Sequence, residues 1–478
     1  MTGHILYTNS KMALLLLGLV FWLTRLYQLK TLPPFVDETI YLRWIGTITA
    51  DWSQWLLPLK EFGWEPLSIW VSSGLNLVLS DGLLSLRLTA AIFGFLTGLF
   101  LYLAVKTWFD RRTALFTLAV VWLSPIILLH DRLGLRGDAL VSLAAALTFY
   151  GLGLRLKLKK ITGVYLIAAG LIIGLMSKTS AIVLPISMAL AYLYFRPKLK
   201  INDFIAGLLT LTPAAFYYFL GFLPAVLNKS QVFSLPLSNW GSLTSANLNQ
   251  ILNWTYQYTT WPVLTLMALG GVWLYLKEKK KFWLTMFLIL PTWVLLTVTA
   301  KILFPRYLLP AIIFELTLAG VGLNYLREHL PKFLLPGVLI FFLPGWWFDY
   351  QLITNLSAAD LPEIERWQYV TGWPSGYGLR ELTDYLRFDS PQYLITENND
   401  LVRSGVNYLW PEHSFTIVPL TDDGRLTQSL PASPSAYLAL NIADQPPDGF
   451  SGELIKEFMR PENKSSIRLY RLTNVPIN

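Results

Sequence analysis

Two acidic residues stand side by side at Asp37-Glu38, directly after Pro33-Pro34-Phe-Val, and cations recur far behind them at Arg132, Arg136, Lys178 and Arg306. A carboxylate within hydrogen-bond reach of an attacking group can take its proton. Cations can hold the negative charge that grows on a leaving group. Asp131 and Asp138 flank the two arginines, and a carboxylate so placed can orient a guanidinium through a charge-assisted bond. Tyr307 follows Arg306 directly. Taken singly, each residue also reads as a helix cap or a snorkelling charge, and Arg306 in Phe-Pro-Arg-Tyr as an interfacial anchor. The adjacent acidic pair has no such structural need. That pair is therefore the leading candidate for a carboxylate acting as a base. His130 beside Asp131 leaves room for a divalent metal, although the cations make none necessary. Cysteine is absent, which removes disulfides, thiolate metal sites and cysteine nucleophiles.

The elements that must position these residues are membrane helices. The chain of 478 residues is 54% hydrophobic and 14% charged, against about 25% charged in soluble domains. Long apolar runs fill residues 1–348, and 349–478 read as a water-soluble sequence. A spanning helix needs about 20 apolar residues. Eleven segments qualify: 12–29, 86–105, 113–129, 139–154, 162–177, 179–195, 204–222, 259–276, 282–299, 307–325 and 333–348. The first is too long for a signal-peptide core and has no cleavage site after it. With the N-terminus in the cytoplasm, every dense basic cluster falls on the cytoplasmic side, as the positive-inside rule requires. Those clusters are Lys106 to Arg112, Arg155 to Lys160, Arg196 to Lys200, Lys277 to Lys281, and Arg327 with Lys332. Pro66–Ser80 rises only about 22 Å as a helix, so it is placed flat on the outer surface. The net charge of +8 is thus topology information and not a nucleic-acid face. The outer pieces are residues 30–85, 223–258 and the tail from 349, and every candidate residue named above lies on that outer face.

The tail alternates in strand-like runs at Tyr393–Thr396, Phe415–Val418, Ala436–Leu440 and Ile467–Leu472, with helical pattern at Leu379–Leu386 and near Leu454–Phe458. It predicts a small extracytoplasmic α/β domain acting as a lid or acceptor-binding accessory.

Five motifs occur in order: Asp37-Glu-Thr-Ile-Tyr-Leu-Arg-Trp44; Trp64-Glu-Pro-Leu-Ser-Ile-Trp70 with Leu86-Arg-Leu88; Ser124-Pro125 with Arg132 and Arg136-Gly-Asp-Ala-Leu140; Leu175-Met-Ser-Lys-Thr179; and Arg306-Tyr-Leu-Leu-Pro310. In this the chain resembles GT-C glycosyltransferases of the protein O-mannosyltransferase and lipid A aminoarabinose transferase superfamily, including their bacterial members. Glu65 departs from the pattern, standing where many members carry a basic residue or proline. The resemblance implies a GT-C fold in the cell membrane and an inverting transfer. The donor would be a sugar on a polyprenyl phosphate, and the acceptor a hydroxyl of a protein, lipid or glycan. Asp37 would then be the base, with Glu38 supporting it. Arg306, Lys178, Arg132 and Arg136 would bind the donor phosphate, supported by Asp138, Asp131 and Tyr307. The alternative is a secondary transporter or lipid-linked sugar flippase. Transporters show internal repeats and midplane sites, whereas here no repeat is evident and the charges gather at the outer surface.

Overall fold

The computed structural model describes residues 2–228, 240–331, 342–431 and 435–474, with 337 and 340 between them. Most of the chain is helical. Among the described residues five helices are long and apolar enough to cross a membrane: Gly82–Trp108, Asp138–Leu156, Gly241–Lys277, Lys279–Thr299 and Pro305–His329. Arg111–Trp122 and Pro125–Arg132 make a sixth if their 59° bend lies within one span. The first helix runs Thr2–Leu26.

Among the described residues the expected count of eleven is not confirmed, for local reasons. Thr162–Ser177 has 16 residues and rises about 24 Å, short of a hydrocarbon core of about 30 Å. The segment 179–195 opens as a 3₁₀ turn, Thr179–Ile182, before Val183–Phe195 becomes α-helical. The segment 204–222 is no single helix. It divides among Ile201–Leu209, Thr212–Phe219 and Leu223–Leu227, with Pro213 and Pro224 opening the second and third. Proline lacks the N–H a continuing helix needs but fits a first turn. Residues 223–258, expected as an outer loop, are helical from Trp240. Trp240–Lys277 is one 38-residue element broken at Thr260 (φ 59°, ψ 155°), two residues before Pro262. The expected span 333–348 lies largely outside the described residues.

The helices give the molecule two distinct ends. At one, the basic loops touch. Lys157 Nζ donates to the Trp108 carbonyl at 3.2 Å. Arg155 donates to the Lys198 carbonyl at 2.8 Å and pairs with Asp203, and Lys281 Nζ lies 5.3 Å from the Phe109 ring centroid. At the other end, residues 30–85 fold into the helices Val36–Ala50, Leu57–Phe62 and Leu67–Leu79.

The tail joins that second end. Leu343–Thr354 leads into short turns over 356–378 and then a five-stranded mixed sheet in the order β2-β1-β3-β5-β4. β1 (Tyr393–Thr396) pairs in parallel with β2 (Thr416–Pro419) and β3 (Ala436–Leu440); β5 (Ser466–Asn474) runs antiparallel to β3 and to β4 (Ser451–Met459). The helices Leu379–Phe388 and Asp400–Leu409 bury Leu382, Leu386, Val402 and Val406 against one face of the sheet. Residues 454–458, read from their spacing as helical, are the middle of β4. The partner strand β5 decides this, and its pairing is not local.

Candidate active site

Six of the nine residues singled out by type and spacing line one cavity of about 200 Å³: Asp37, Arg136, Asp138, Lys178, Arg306 and Tyr307. Each comes from a break between helices. Asp37 sits in the first turn of Val36–Ala50, where a carboxylate complements the helix dipole. Arg136 and Asp138 flank Gly137, whose φ of 76° starts Asp138–Leu156. Lys178 is the single extended residue between Thr162–Ser177 and the following 3₁₀ turn. Arg306 and Tyr307 occupy the 3₁₀ turn Pro305–Leu308.

Tyr41, Trp64, Glu65, Leu135, Thr179 and Ser180, none of them a site candidate from the sequence, complete the wall. Glu65 is fully buried. It accepts from Arg136 Nη1 at 2.6 Å and from the Thr179 hydroxyl. Its departure from the family pattern was the visible signal, and the buried Arg136 explains why a carboxylate is tolerated there.

The cavity thus holds three cations and three carboxylates, paired one to one. Arg136 meets Glu65, Lys178 meets Asp138, and Arg306 Nη2 meets Asp37 Oδ2 at 3.4 Å. Strong pairs of this kind run about 2.7–2.9 Å, so the Asp37–Arg306 pair is the loosest. Each cation also lies over an aromatic ring. Arg136 is 4.6 Å from the Trp64 centroid, Lys178 4.5 Å from Tyr307, and Arg306 4.4 Å from Phe304. Burial pushes the Asp37 carboxyl above its usual range, while Arg306, Arg136 and Lys178 pull it back. Such a group is a better base than an exposed aspartate.

Three residues stand elsewhere. Glu38 is fully buried and holds Arg87 through two bonds of 2.8 and 2.6 Å, while also accepting from the Gly134 amide at 2.8 Å. Arg132 Nη1 caps the end of the first helix, donating to the carbonyls of Thr24 (2.6 Å) and Tyr27 (2.9 Å). Asp131 pairs with Arg25 at 3.2 Å. His130 is occupied on both ring nitrogens, by the Ile126 carbonyl (2.7 Å) and Glu365 (3.0 Å). Among the described residues no three His, Asp or Glu come together as a ligand set.

Residues 65–226 match the family described as dolichyl-phosphate-mannose-protein mannosyltransferase. No curated protein matches the sequence. Among solved structures, the chain is similar to ArnT from Cupriavidus metallidurans in the apo state, with a TM-score of 0.64 and 13% identity over 97% of this chain and 98% of that one. It is also similar to ArnT from Cupriavidus metallidurans bound to undecaprenyl phosphate, with a TM-score of 0.62 and 12% identity over 98% of each chain. The apo Archaeoglobus fulgidus oligosaccharyltransferase aligns with a TM-score of 0.55 and 13% identity over 86% of this chain and 64% of that one. The fold is that of the GT-C glycosyltransferases, as the five motifs imply.

Proposed function

We propose that the protein is a glycosyltransferase that moves a sugar from a polyprenyl-phosphate carrier to a hydroxyl acceptor at the extracytoplasmic face of the cell membrane, with inversion. The observation that carries this is the cavity in which Asp37 faces three cations at one end of a helical membrane fold. The similar ArnT structure bound to undecaprenyl phosphate supports a lipid-phosphate donor. The Archaeoglobus fulgidus enzyme in complex with an inhibitory peptide and dolichol-phosphate supports an acceptor beside it.

The chemistry divides between Asp37 and the cations. The acceptor oxygen attacks the anomeric carbon from the side opposite the phosphate. The bond from that carbon to the phosphate oxygen breaks, Asp37 takes the hydroxyl proton, and the lipid phosphate leaves with the bonding electrons. Negative charge on the leaving phosphate grows through this step, so fixed cations stabilise the transition state more than the ground state. Arg306 is the cation whose carboxylate contact is weakest, and it meets the phosphate first. As the guanidinium turns to the phosphate, Asp37 loses its paired cation and becomes more basic. Lys178 and Arg136 sit one pair further back, held by Asp138 and Glu65. Three cations supply the charge this step needs, so the reading calls for no metal.

The test is transfer by the purified protein in lipid nanodiscs, with polyprenyl-phosphate sugars as donors and cell-envelope extracts as acceptors. Wild type transfers sugar. Asp37→Asn keeps size and polarity and loses roughly 10²–10⁴ in turnover, the range for a general base. Arg306→Ala loses roughly 10²–10³, and Arg306→Lys recovers part of it because lysine lacks the bidentate fork. Unchanged transfer in Asp37→Asn would overturn the mechanism.

A further inference from the structure

The tail is expected from its sequence to be a lid or accessory, yet residues 363–376 reach both partners of the Asp37–Arg306 pair. Arg306 Nη1 donates to Gln368 Oε1 at 3.0 Å and to the Tyr369 hydroxyl at 3.3 Å. Gln368 and Tyr369 are 4% and 1% exposed. They are consecutive, and consecutive side chains on a regular helix do not face one partner. Here the turn Trp367–Thr371 is a π-helix, an irregularity that recurs at functional sites. The same segment holds the approach to Asp37. The Tyr369 ring stands edge-on to Phe35 at 5.0 Å, and the Val36 amide donates to the Pro374 carbonyl at 2.9 Å. Gly376 lies so close to Pro34 that a Cβ there would sit 2.2 Å from the Pro34 carbonyl oxygen. A third tie runs from Glu365 to His130 at 3.0 Å.

We propose that Gln368 and Tyr369 are positioning residues: by holding the Arg306 guanidinium they set its distance from Asp37, and residues 363–376 are thereby part of the catalytic unit. This rests on the reading of Asp37 and Arg306 given above. The alternative role for the two side chains is plain packing between the tail and the helices, and the two roles differ in what they do to Asp37. Arg306 lowers the Asp37 pKa, as do Arg136 and Lys178, while Asp138 raises it. Tyr41, Glu65 and Tyr307 complete the titratable lining. A guanidinium released from Gln368 and Tyr369 drifts from the carboxylate, so Asp37 holds its proton to higher pH. Packing alone leaves that titration in place.

The experiment follows the Asp37 carboxyl band by infrared difference between each protein and its own Asp37→Asn counterpart, across pH, in nanodiscs. In Gln368→Ala/Tyr369→Phe the band titrates at higher pH than in the parent. The acid limb of kcat/KM moves the same way, and transfer falls by up to roughly 10²-fold, the cost of a displacement of about 1 Å at a reacting centre. Should the double variant fail to fold, Tyr369→Phe alone keeps the ring on Phe35 and removes only the hydroxyl, and the same upward movement is expected. An Asp37 titration identical to the parent's overturns the proposal, whatever happens to turnover. If the parent protein transfers no sugar, the glycosyltransferase reading falls, and the infrared titration still decides the positioning role.

Discussion

Successive side chains on a helix diverge by about 100°, so Asp37 and Glu38 at the head of one helix enter different surroundings. Asp37 turns into the cavity beside Arg306. Glu38 turns into the protein and meets Arg87, both fully buried. Arg87 also donates to the carbonyls of Leu29 and Leu32 at 2.7 and 2.9 Å. The pair therefore ties the end of the first helix, the head of Val36–Ala50 and the Gly134 loop at one point. Glu38→Ala strands a buried guanidinium, and breaking a buried pair in this way costs about 3–5 kcal/mol. The expected outcome is a large fall in folded yield and in the thermal midpoint in detergent. A variant that stays as stable as the parent and loses only turnover would return Glu38 to the chemistry. The sequence displayed the acidic pair and four of the five other charged groups of the cavity, Arg136, Asp138, Lys178 and Arg306. It did not display which acid turns inward, because that depends on Arg87, which lies 49 residues away. The same holds for Arg132. The family resemblance implies a donor-phosphate role for it, whereas its guanidinium donates to the carbonyls of Thr24 and Tyr27 at the end of the first helix.

Helices in lipid gain little from burying apolar surface against each other and rely on close backbone approach at small residues. Trp240–Lys277 and Leu309–His329 meet in this way. A Cβ on Gly270 would lie 2.0 Å from the Leu318 carbonyl oxygen, and one on Gly322 would lie 2.2 Å from that of Leu266. Backbone cannot step aside as a flexible side chain can, so Gly270→Ala and Gly322→Ala must each push the two helices apart. Overpacking of this kind costs about 1–3 kcal/mol. Gly271 has nothing within 4 Å of a built Cβ, and Gly271→Ala is the matched control. Thermal unfolding in detergent should rank both contact variants below it, and equal midpoints for Gly270→Ala and Gly271→Ala would refute the tight crossing. Elements of this kind were legible from apolar runs that the structure keeps as one helix, as at 86–105 and 139–154, and at 282–299, where the helix continues through Pro291. The runs at 162–177 and 204–222, the second reset by Pro213, look the same to a hydropathy window but give shorter helices. In the tail, β1 and β3 were legible from their short strand-like alternation. Leu454, Ile455 and Phe458 fit a helical stripe, and only pairing with β5 makes that stretch a strand.

For the whole molecule, sidedness is the property on which the outer-face reading depends. A topology built by counting spans is fragile, since one helix too many inverts everything after it. The fold offers a second route that needs no count. The loops carrying Lys157, Arg155, Lys198, Lys281 and Phe109 touch one another, so their basic clusters share one end by contact. The cavity residues and the tail share the other, since Arg306 meets Gln368 and Val36 meets Pro374. Cytoplasmic loops carry the excess of lysine and arginine. On that rule the contacting basic loops are expected in the cytoplasm, and the cavity and the sheet outside. Reporter insertions at Lys279, where a basic loop meets the next helix, and at Gly424, in a turn of the tail domain (φ 78°), read the two ends directly. Lys279 should report cytoplasm and Gly424 the outer compartment. If both report the same compartment, the sheet and the basic loops cannot lie at opposite ends of a membrane-spanning fold. If the two are exchanged, the cavity opens to the cytoplasm, and a donor in the outer leaflet could not reach Asp37.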